Sequence, residues 1–223
     1  MLYLLLIVPA VLLSLYAEFK IRSTYKKYSS VKNSFGLTGA DVAKTVLTKQ
    51  GIFDINIEMV DGYLTDHYDP SSKTIRLSPN VYTGMSLSSI GVAAHETGHA
   101  IQHNSAYLPL NIRSSMVYIA NFGSWTALPI IFLGLVSGVS GLTLFGICVF
   151  FVVFGFQVIT LPVEFNASKR ALNILGNGFL TSDEIRETKK VLDAAALTYV
   201  AAATTSIAEL IRYVITLLSG KDE

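Results

Sequence analysis

The sequence predicts a mainly α-helical membrane protein, with three to four transmembrane helices and a small α+β segment between the first two of them. Hydrophobic residues make up 51% of the 223 residues and charged residues only 15%, a balance that is typical of integral membrane proteins. The apolar residues are gathered into long runs, and one polar stretch separates the first run from the others. A net charge of +1 gives no indication of a nucleic-acid partner, and the single cysteine, Cys148, excludes a disulfide framework.

The first predicted transmembrane helix is residues 1–17. This stretch is apolar apart from Ser14, and it is long enough to cross most of a hydrocarbon core about 30 Å thick. No basic residue precedes it and no small-residue cleavage site follows it, so we expect an uncleaved anchor rather than a signal peptide. The positive-inside rule places the basic cluster that follows in the cytoplasm. This cluster consists of Lys20, Arg22, Lys26, Lys27 and Lys32.

Residues 18–108 are predicted to form a cytoplasmic juxtamembrane and α+β segment. A helix is expected from Thr38 to about Gln50, where a glycine follows as a stop. Short runs of alternating apolar and polar residues then predict a small antiparallel meander, because turn residues separate them. These runs are residues 55–60, 63–68 and 74–77.

The second helix of this segment, capped by Ser86 or Ser88, holds three of the chain's four histidines. His95 and His99 lie one helical turn apart on one face, so both imidazoles can bind one metal ion. Imidazole is a good zinc ligand, and zinc lowers the pKa of a bound water toward about 7. We expect the neighbouring Glu96 to act as the general base. A purely structural buried helix is the alternative, but it leaves these polar groups without compensation.

Residues 109–163 are predicted to form a transmembrane hairpin, with spans at 117–136 and 142–161. Residues 164–194 then form a segment that includes a cytoplasmic helix, which Thr181 and Glu184 open as a capping box. Residues 195–219 form a fourth transmembrane helix or a membrane-associated one.

The distribution of basic residues predicts the topology of these spans. Of the 17 Lys and Arg residues, 15 fall between the first and second spans or between the third and fourth, the exceptions being Arg212 and Lys221. This asymmetry favours four spans with both termini outside and the α+β segment in the cytoplasm. Glu209 lies in the fourth span together with Arg212, and charges at that depth are expected to face protein, water or each other.

A catalytic zinc site needs a third protein ligand. The metzincin pattern requires a histidine six residues after His99, and the chain has Ser105 there, which excludes that class. His103 lies a further turn along the helix, so we expect it to have a surface or supporting role. His67, in a predicted strand, remains open as a ligand or as a donor to the reacting oxygen.

Glu164 is the favoured third ligand. It is the first acidic residue after Glu96, and it ends an apolar run at the predicted membrane boundary, where a carboxylate is expected to have a partner. If Glu164 begins a helix over 164–175, Ser168 shares its face and is placed to orient a metal ligand. A helix-capping glutamate at the end of a span is the alternative.

Three stretches carry a resemblance to a known family: HETGHAIQ at 95–102, DHYDP at 66–70 and LPVEFNASKRAL at 161–172. Together they resemble the small bacterial membrane zinc peptidases of the putative neutral zinc metallopeptidase family, over nearly the whole chain. A wider likeness is to gluzincins such as the HtpX-like and CAAX prenyl peptidases, in which a glutamate downstream of the zinc helix is the third ligand. The resemblance implies His95, His99 and Glu164 as zinc ligands and Glu96 as the catalytic base. The wider pattern often has an aspartate four residues after the third ligand, where this chain has Ser168.

The sequence therefore predicts a membrane-integrated, zinc-dependent endopeptidase of the bacterial cytoplasmic membrane, with one Zn2+ per chain and a zincin-like catalytic segment on the cytoplasmic side. Polypeptides, including membrane proteins, are the expected substrates, the lipid bilayer is the expected surroundings, and the oligomeric state is left open. The reacting oxygen needs a further donor, for which the sequence leaves open His67, Tyr68, Tyr82 and Arg170. The rival interpretation is a non-catalytic membrane adaptor or scaffold, whose structural zinc site would be closed by four protein ligands.

Overall fold

The structure, a computed structural model, describes residues 2–219 and is mainly helical. Met1 of the first predicted span and residues 220–223, with Lys221 of the charge count, lie outside the described residues. Within the described part, seven helices and three short strands follow one another. They are α1 (Leu2–Ser29), α2 (Gly39–Lys49), β1 (Asn56–Met59), β2 (His67–Asp69), β3 (Thr74–Leu77), α3 (Pro79–Tyr82), α4 (Leu87–Asn104), α5 (Leu108–Ser137), α6 (Ser140–Gly176) and α7 (Ser182–Ser219).

Four of the described helices, α1, α5, α6 and α7, are long and apolar enough to cross a membrane. The pairs α5 and α6, α6 and α7, and α1 and α7 pack against each other. Their outer sides carry large exposed apolar side chains, as contact with lipid requires; on α5 these include Tyr118, Phe122 and Trp125. The prediction of a mainly helical membrane protein with three to four spans is confirmed, with four candidate spans.

The helices at both ends of the chain continue beyond the predicted spans. Helix α1 runs without a break from the apolar anchor to Ser29 and includes all of the basic cluster except Lys32. Helix α7 begins with the predicted capping box, in which the Thr181 amide donates to Glu184 Oε2 at 2.8 Å and the Glu184 amide donates to Thr181 Oγ1 at 3.4 Å. In its apolar half, Glu209 and Arg212 form an ion pair, as expected of charges at that position.

The soluble segment between α1 and α5 holds α2, the short helix α3 and a three-stranded sheet. The predicted first helix is confirmed as α2, which Thr38 and Asp41 begin with a reciprocal capping box. The sheet has the order β1-β3-β2, and β3 pairs in parallel with β1 and antiparallel with β2. The predicted antiparallel meander is therefore wrong for β1. Alternating residues identify strands, but they do not specify which strands pair when one inserts between the other two.

Helix α4 joins the soluble segment to the membrane helices. Ser86 caps it by accepting a hydrogen bond from the Ser89 amide at 3.1 Å, which confirms one of the two predicted caps. The helix packs against α2 on one side and against α6 and α7 on others. A Cβ atom on Gly91 would lie 2.8 Å from Thr188 Cγ2 of α7, so a glycine is needed for this close packing. Side chains on nearly every face of α4 are buried as a result.

The sequence interpretation considered Glu164 as the first residue of a helix, and the structure shows that it is not. It lies inside α6, which runs unbroken from Ser140 to Gly176. The apolar run and the following polar residues form one helix, because a change in polarity alone does not end a helix. Even Pro162, which removes one backbone donor, lies within the helix. The predicted third ligand therefore comes from within one long helix that is a candidate membrane span.

Candidate metal centre

Three side chains from two helices converge on one point. His95 and His99 project from α4, and both Nε2 atoms face Oε2 of Glu164 on α6, at 3.1 Å and 3.5 Å. One ligand atom from each residue can be chosen so that all lie within 4.8 Å of one another. A tetrahedral zinc ion with bonds of about 2.0–2.1 Å separates its ligand atoms by about 3.3 Å. The two distances to Glu164 Oε2 lie on either side of this value, as expected of side chains that can hold one zinc ion.

The approach of α4 to α6 depends on Gly98, which lies between the two histidines. A Cβ atom at this position would lie 2.8 Å from the carbonyl oxygen of Ala167 and 3.3 Å from its Cα. Both are backbone atoms of α6, so no side-chain rotation can relieve such a contact. Ala167 is nearly one turn beyond Glu164 on α6, and the close packing here brings the Glu164 carboxylate within reach of the histidines.

Each histidine is held from behind through its Nδ1 atom. Nδ1 of His99 donates to Oε1 of Gln102 at 3.0 Å, since an amide oxygen can only accept. Nδ1 of His95 lies 3.1 Å from Oγ of Ser168, the residue that the sequence analysis placed on the same face as Glu164. Such contacts fix the tautomer and leave the Nε2 lone pairs free for a metal.

Gln102 is a functional residue that the sequence analysis missed. Its side chain is fully buried, and its amide nitrogen donates to the Val163 carbonyl oxygen at 2.9 Å and to Asn166 Oδ1 at 3.0 Å. It therefore ties His99 to α6 on both sides of Glu164. The sequence feature that could have identified Gln102 is its position three residues after His99, on the same face of the helix.

The centre is secluded from solvent. Glu164 is 2% exposed, Glu96 8% and His99 9%. Burial by itself lowers the pKa of His99, whereas the Glu164 carboxylate and then Glu96 raise it, and the net direction is upward. A buried carboxylate between two imidazoles favours a positive charge at this point, which either a proton or a divalent cation supplies. Two imidazole nitrogens and one carboxylate oxygen form a set typical of zinc sites that keep a fourth position open.

Glu96 borders this cluster. It follows His95 on α4 and is 8% exposed, and its charge is one of the causes that raise the pKa of His99.

The other candidates from the sequence lie outside the cluster. His67 is exposed, and its Nδ1 is 2.8 Å from the Thr65 carbonyl oxygen. Among the described residues, the group that could hold a metal contains His95, His99 and Glu164 and does not include His67; its role as an oxygen donor stays a prediction. His103 pairs through Nδ1 with the Tyr68 hydroxyl at 2.7 Å, on the side of α4 that faces the sheet.

Two comparisons place this arrangement among known proteins. The model of a family described as putative neutral zinc metallopeptidase matches residues 3–218. A protein of Bacillus subtilis (strain 168), named putative membrane protease YugP, is 48% identical over 225 aligned residues, which cover 100% of both chains. No solved structure matches the chain. The match over nearly the full length and the His-His-Glu cluster point the same way, and the chain belongs to the family of putative neutral zinc metallopeptidases.

Proposed function

We propose that this membrane protein is a zinc-dependent endopeptidase with one zinc ion per chain. The observation that carries the proposal is the convergence of His95, His99 and Glu164, with the carboxylate of Glu96 beside them. Three protein ligands leave a coordination position open, as catalytic zinc sites require and structural sites do not. The family name and the name of the Bacillus subtilis relative support this function.

The residues around the cluster have separate tasks in peptide hydrolysis. His95, His99 and Glu164 hold the metal, while Ser168 and Gln102 keep the two imidazoles oriented. When bound, zinc lowers the pKa of water toward about 7 and polarises a carbonyl group. Glu96 takes the proton of the attacking water and passes it to the leaving amine. The seclusion of the centre from solvent strengthens these electrostatic effects, because they act in a medium of low polarity.

We further propose that the reaction takes place at the cytoplasmic face of the bacterial cytoplasmic membrane. The basic residues of α1, of the C-terminal part of α6 and of the N-terminal part of α7 support this side by the positive-inside rule; on α6 and α7 these are Lys169, Arg170, Arg186, Lys189 and Lys190. Polypeptides, including membrane proteins, are the proposed substrates, because the third ligand lies on a helix that continues into the membrane. Strands β1 and β2 both lie at an edge of the sheet, where an extended chain can pair.

The rival interpretation is a membrane adaptor in which zinc fastens α4 to α6. A structural site needs a fourth protein ligand, and the metal-binding group found among the described residues has three members. A metal that bears water or an inhibitor favours the enzyme, and one that is closed by protein favours the adaptor.

The decisive experiment compares Glu96→Gln with the wild type, purified in detergent and incubated with a quenched-fluorescence peptide library. Glu187→Gln, at a partly exposed glutamate of α7 outside the cluster, serves as the control. We expect Glu96→Gln to retain about one zinc per chain by mass spectrometry and to lose cleavage by at least a hundredfold, since proton transfer contributes about 10²–10⁴ in rate. Wild-type cleavage by Glu96→Gln would refute the mechanism.

A further inference from the structure

A groove between α1 and α7 shares no residue with the proposed metal centre. Its volume of about 420 Å³ lies within the range of small-molecule sites, about 300–1,000 Å³. Its cationic side chains are Lys20 and Lys27 of α1 and Lys190 of α7, and we call it the lysine groove. Asp193 adds one negative charge to the lining, but its Oδ2 accepts a hydrogen bond from Lys189 at 2.5 Å. The lysine groove therefore has an excess of positive charge.

The lysines of the groove are not used in ion pairs within the described part of the chain. The ion pairs of α1 and α7 are formed instead by Arg22, Arg186, Lys189 and Arg212. Three ammonium groups thus line one groove without a carboxylate partner among residues 2–219. Each ammonium group has three donors and no acceptor, so a ligand that complements the groove must supply negatively charged acceptors.

Two of these ammonium groups lie around one aromatic ring, although they come from different helices. Nζ of Lys27 is 5.2 Å and Nζ of Lys190 is 6.0 Å from the centroid of the Tyr28 ring. Tyr28 is only 3% exposed, so packing holds the ring in place while its face attracts both cations. The two like charges repel each other, and an anion bound between them replaces this repulsion with attraction. The lysine groove is therefore arranged to hold an anion.

The lysine groove lies where the apolar parts of both helices end. On α1 the apolar run ends at Ala17, three residues before Lys20. Further into the same helix pair, Ser14 Oγ and Thr205 Oγ1 lie 3.1 Å apart. With a rise of about 1.5 Å per residue, Lys20 lies about 9 Å from this contact along α1, and Leu197 of the groove about 12 Å along α7. Both displacements lead out of the apolar region, so the groove is level with the lipid headgroups.

We propose that the lysine groove binds the headgroup of an anionic phospholipid. The phosphate lies between Lys27 and Lys190, where its oxygens accept charge-assisted hydrogen bonds, and the acyl chains follow the apolar parts of α1 and α7. Basic pockets between membrane helices at this level suit acidic lipid headgroups. A free phosphate has similar charge, but only a lipid also uses the adjoining apolar surface. The proposed site does not depend on the proposed peptidase function.

The test measures ligand binding to the full-length protein in neutral detergent by native mass spectrometry. The probes are dihexanoyl phosphatidylglycerol, which is anionic, dihexanoyl phosphatidylcholine, which has no net charge, and inorganic phosphate, which has no acyl chains. We expect wild type to bind phosphatidylglycerol more tightly than either of the others. The pair Lys27→Gln and Lys190→Gln should weaken this binding about 30-fold, because each lysine near an anionic lipid contributes roughly fivefold in affinity.

The pair Lys26→Gln and Lys32→Gln is the matched control. It removes the same charge from the same basic cluster, but these residues line a different cavity, beside Asn80 and Met85. The control should bind phosphatidylglycerol as wild type does. Equal losses in the two glutamine pairs would show a diffuse attraction to anionic lipid, and this overturns the proposal.

Two further variants guard against a loss caused by misfolding. Lys27→Arg with Lys190→Arg keeps both charges and should retain most of the affinity. Lys20→Gln, at an exposed residue, should bind phosphatidylglycerol roughly fivefold more weakly. Wild-type affinity in both Lys20→Gln and the Lys27 and Lys190 glutamine pair overturns the proposal. Equal affinity of wild type for phosphatidylcholine, or for inorganic phosphate, also overturns it, and the second result assigns the groove to a soluble phosphate.

Discussion

The close approach of α4 to α6 at Gly98 gives the sharpest test of how the metal centre is built. In Gly98→Ala, the new Cβ atom must move from 2.8 Å to the 3.4 Å at which ordinary contact with the Ala167 carbonyl begins, a separation of about 0.6 Å. Because the obstructing atoms are backbone, the helices themselves must move apart. Glu164 is carried by the same stretch of α6, so it moves away from His95 and His99.

The expected size of the effect follows from the cost of overpacking. Strain of this kind costs about 1–3 kcal/mol, and metal binding, which draws the helices together, must overcome it. Since about 1.4 kcal/mol corresponds to a tenfold change in affinity, Gly98→Ala should weaken zinc binding roughly 5- to 150-fold. Peptide cleavage at saturating zinc should also fall, because a misplacement of about 1 Å can cost 10²-fold in rate.

The zinc dissociation constant is measured by competition with a chromophoric chelator in detergent solution. Gly155→Ala, on the same helix α6 as Ala167, is the matched control, because its Cβ would meet only Met116 Cε of α5, at 3.9 Å. Alanine is also the better helix former by about 1 kcal/mol, so the control should bind zinc normally and be no less stable. Wild-type zinc affinity in Gly98→Ala would refute the packing argument.

Three further outcomes are expected. Ser168→Ala removes the contact behind His95, and loss of such support should weaken zinc binding about 10–100-fold in the chelator competition. Gln102→Met keeps the side-chain size but removes the acceptor for His99, so a similar loss is expected, and unchanged affinity in either variant would contradict its supporting role. Hydrogen bonds from Ser72 and then Arg76 lower the pKa of Asp69 to about 2. Because the folded pKa lies below the ordinary value of about 3.9, the stabilisation is present above pH 4 and is lost as the pH falls toward 2; urea unfolding of Asp69→Asn should lack this dependence, and identical pH profiles would contradict it.

The parts of the structure that could be predicted from sequence are those with local signals. Thr38, the capping box of Thr181 and Glu184, and the choice of Ser86 or Ser88 as a cap identified helix starts, because side-chain to backbone contacts over three residues require no tertiary information. The turn of helix between His95 and His99 likewise fixed their common face. Glu164 was found because a lone acid after a long apolar run needs a partner.

The parts that could not be predicted depend on how distant elements pack. The parallel pairing of β1 with β3 depends on β3 inserting between β1 and β2, which strand periodicity does not encode. The contacts of Gln102 with Val163 and Asn166 depend on the rotation of α6 about its axis, and an apolar sequence of transmembrane type gives little information on rotation. The change in polarity near Glu164 was taken as a helix start, although the helix continues through it.

The most direct test of the proposed centre is the zinc affinity of Glu164→Ala, with Glu184→Ala of the α7 capping box as a control outside the cluster. Apoprotein of each variant is titrated with zinc in the presence of the competing chelator, and bound metal is counted by mass spectrometry. We predict that Glu164→Ala binds zinc more than 100-fold more weakly than wild type, because it loses a ligand rather than a supporting contact, while the control binds normally. Unchanged affinity in Glu164→Ala would contradict a metal centre shared between α4 and α6.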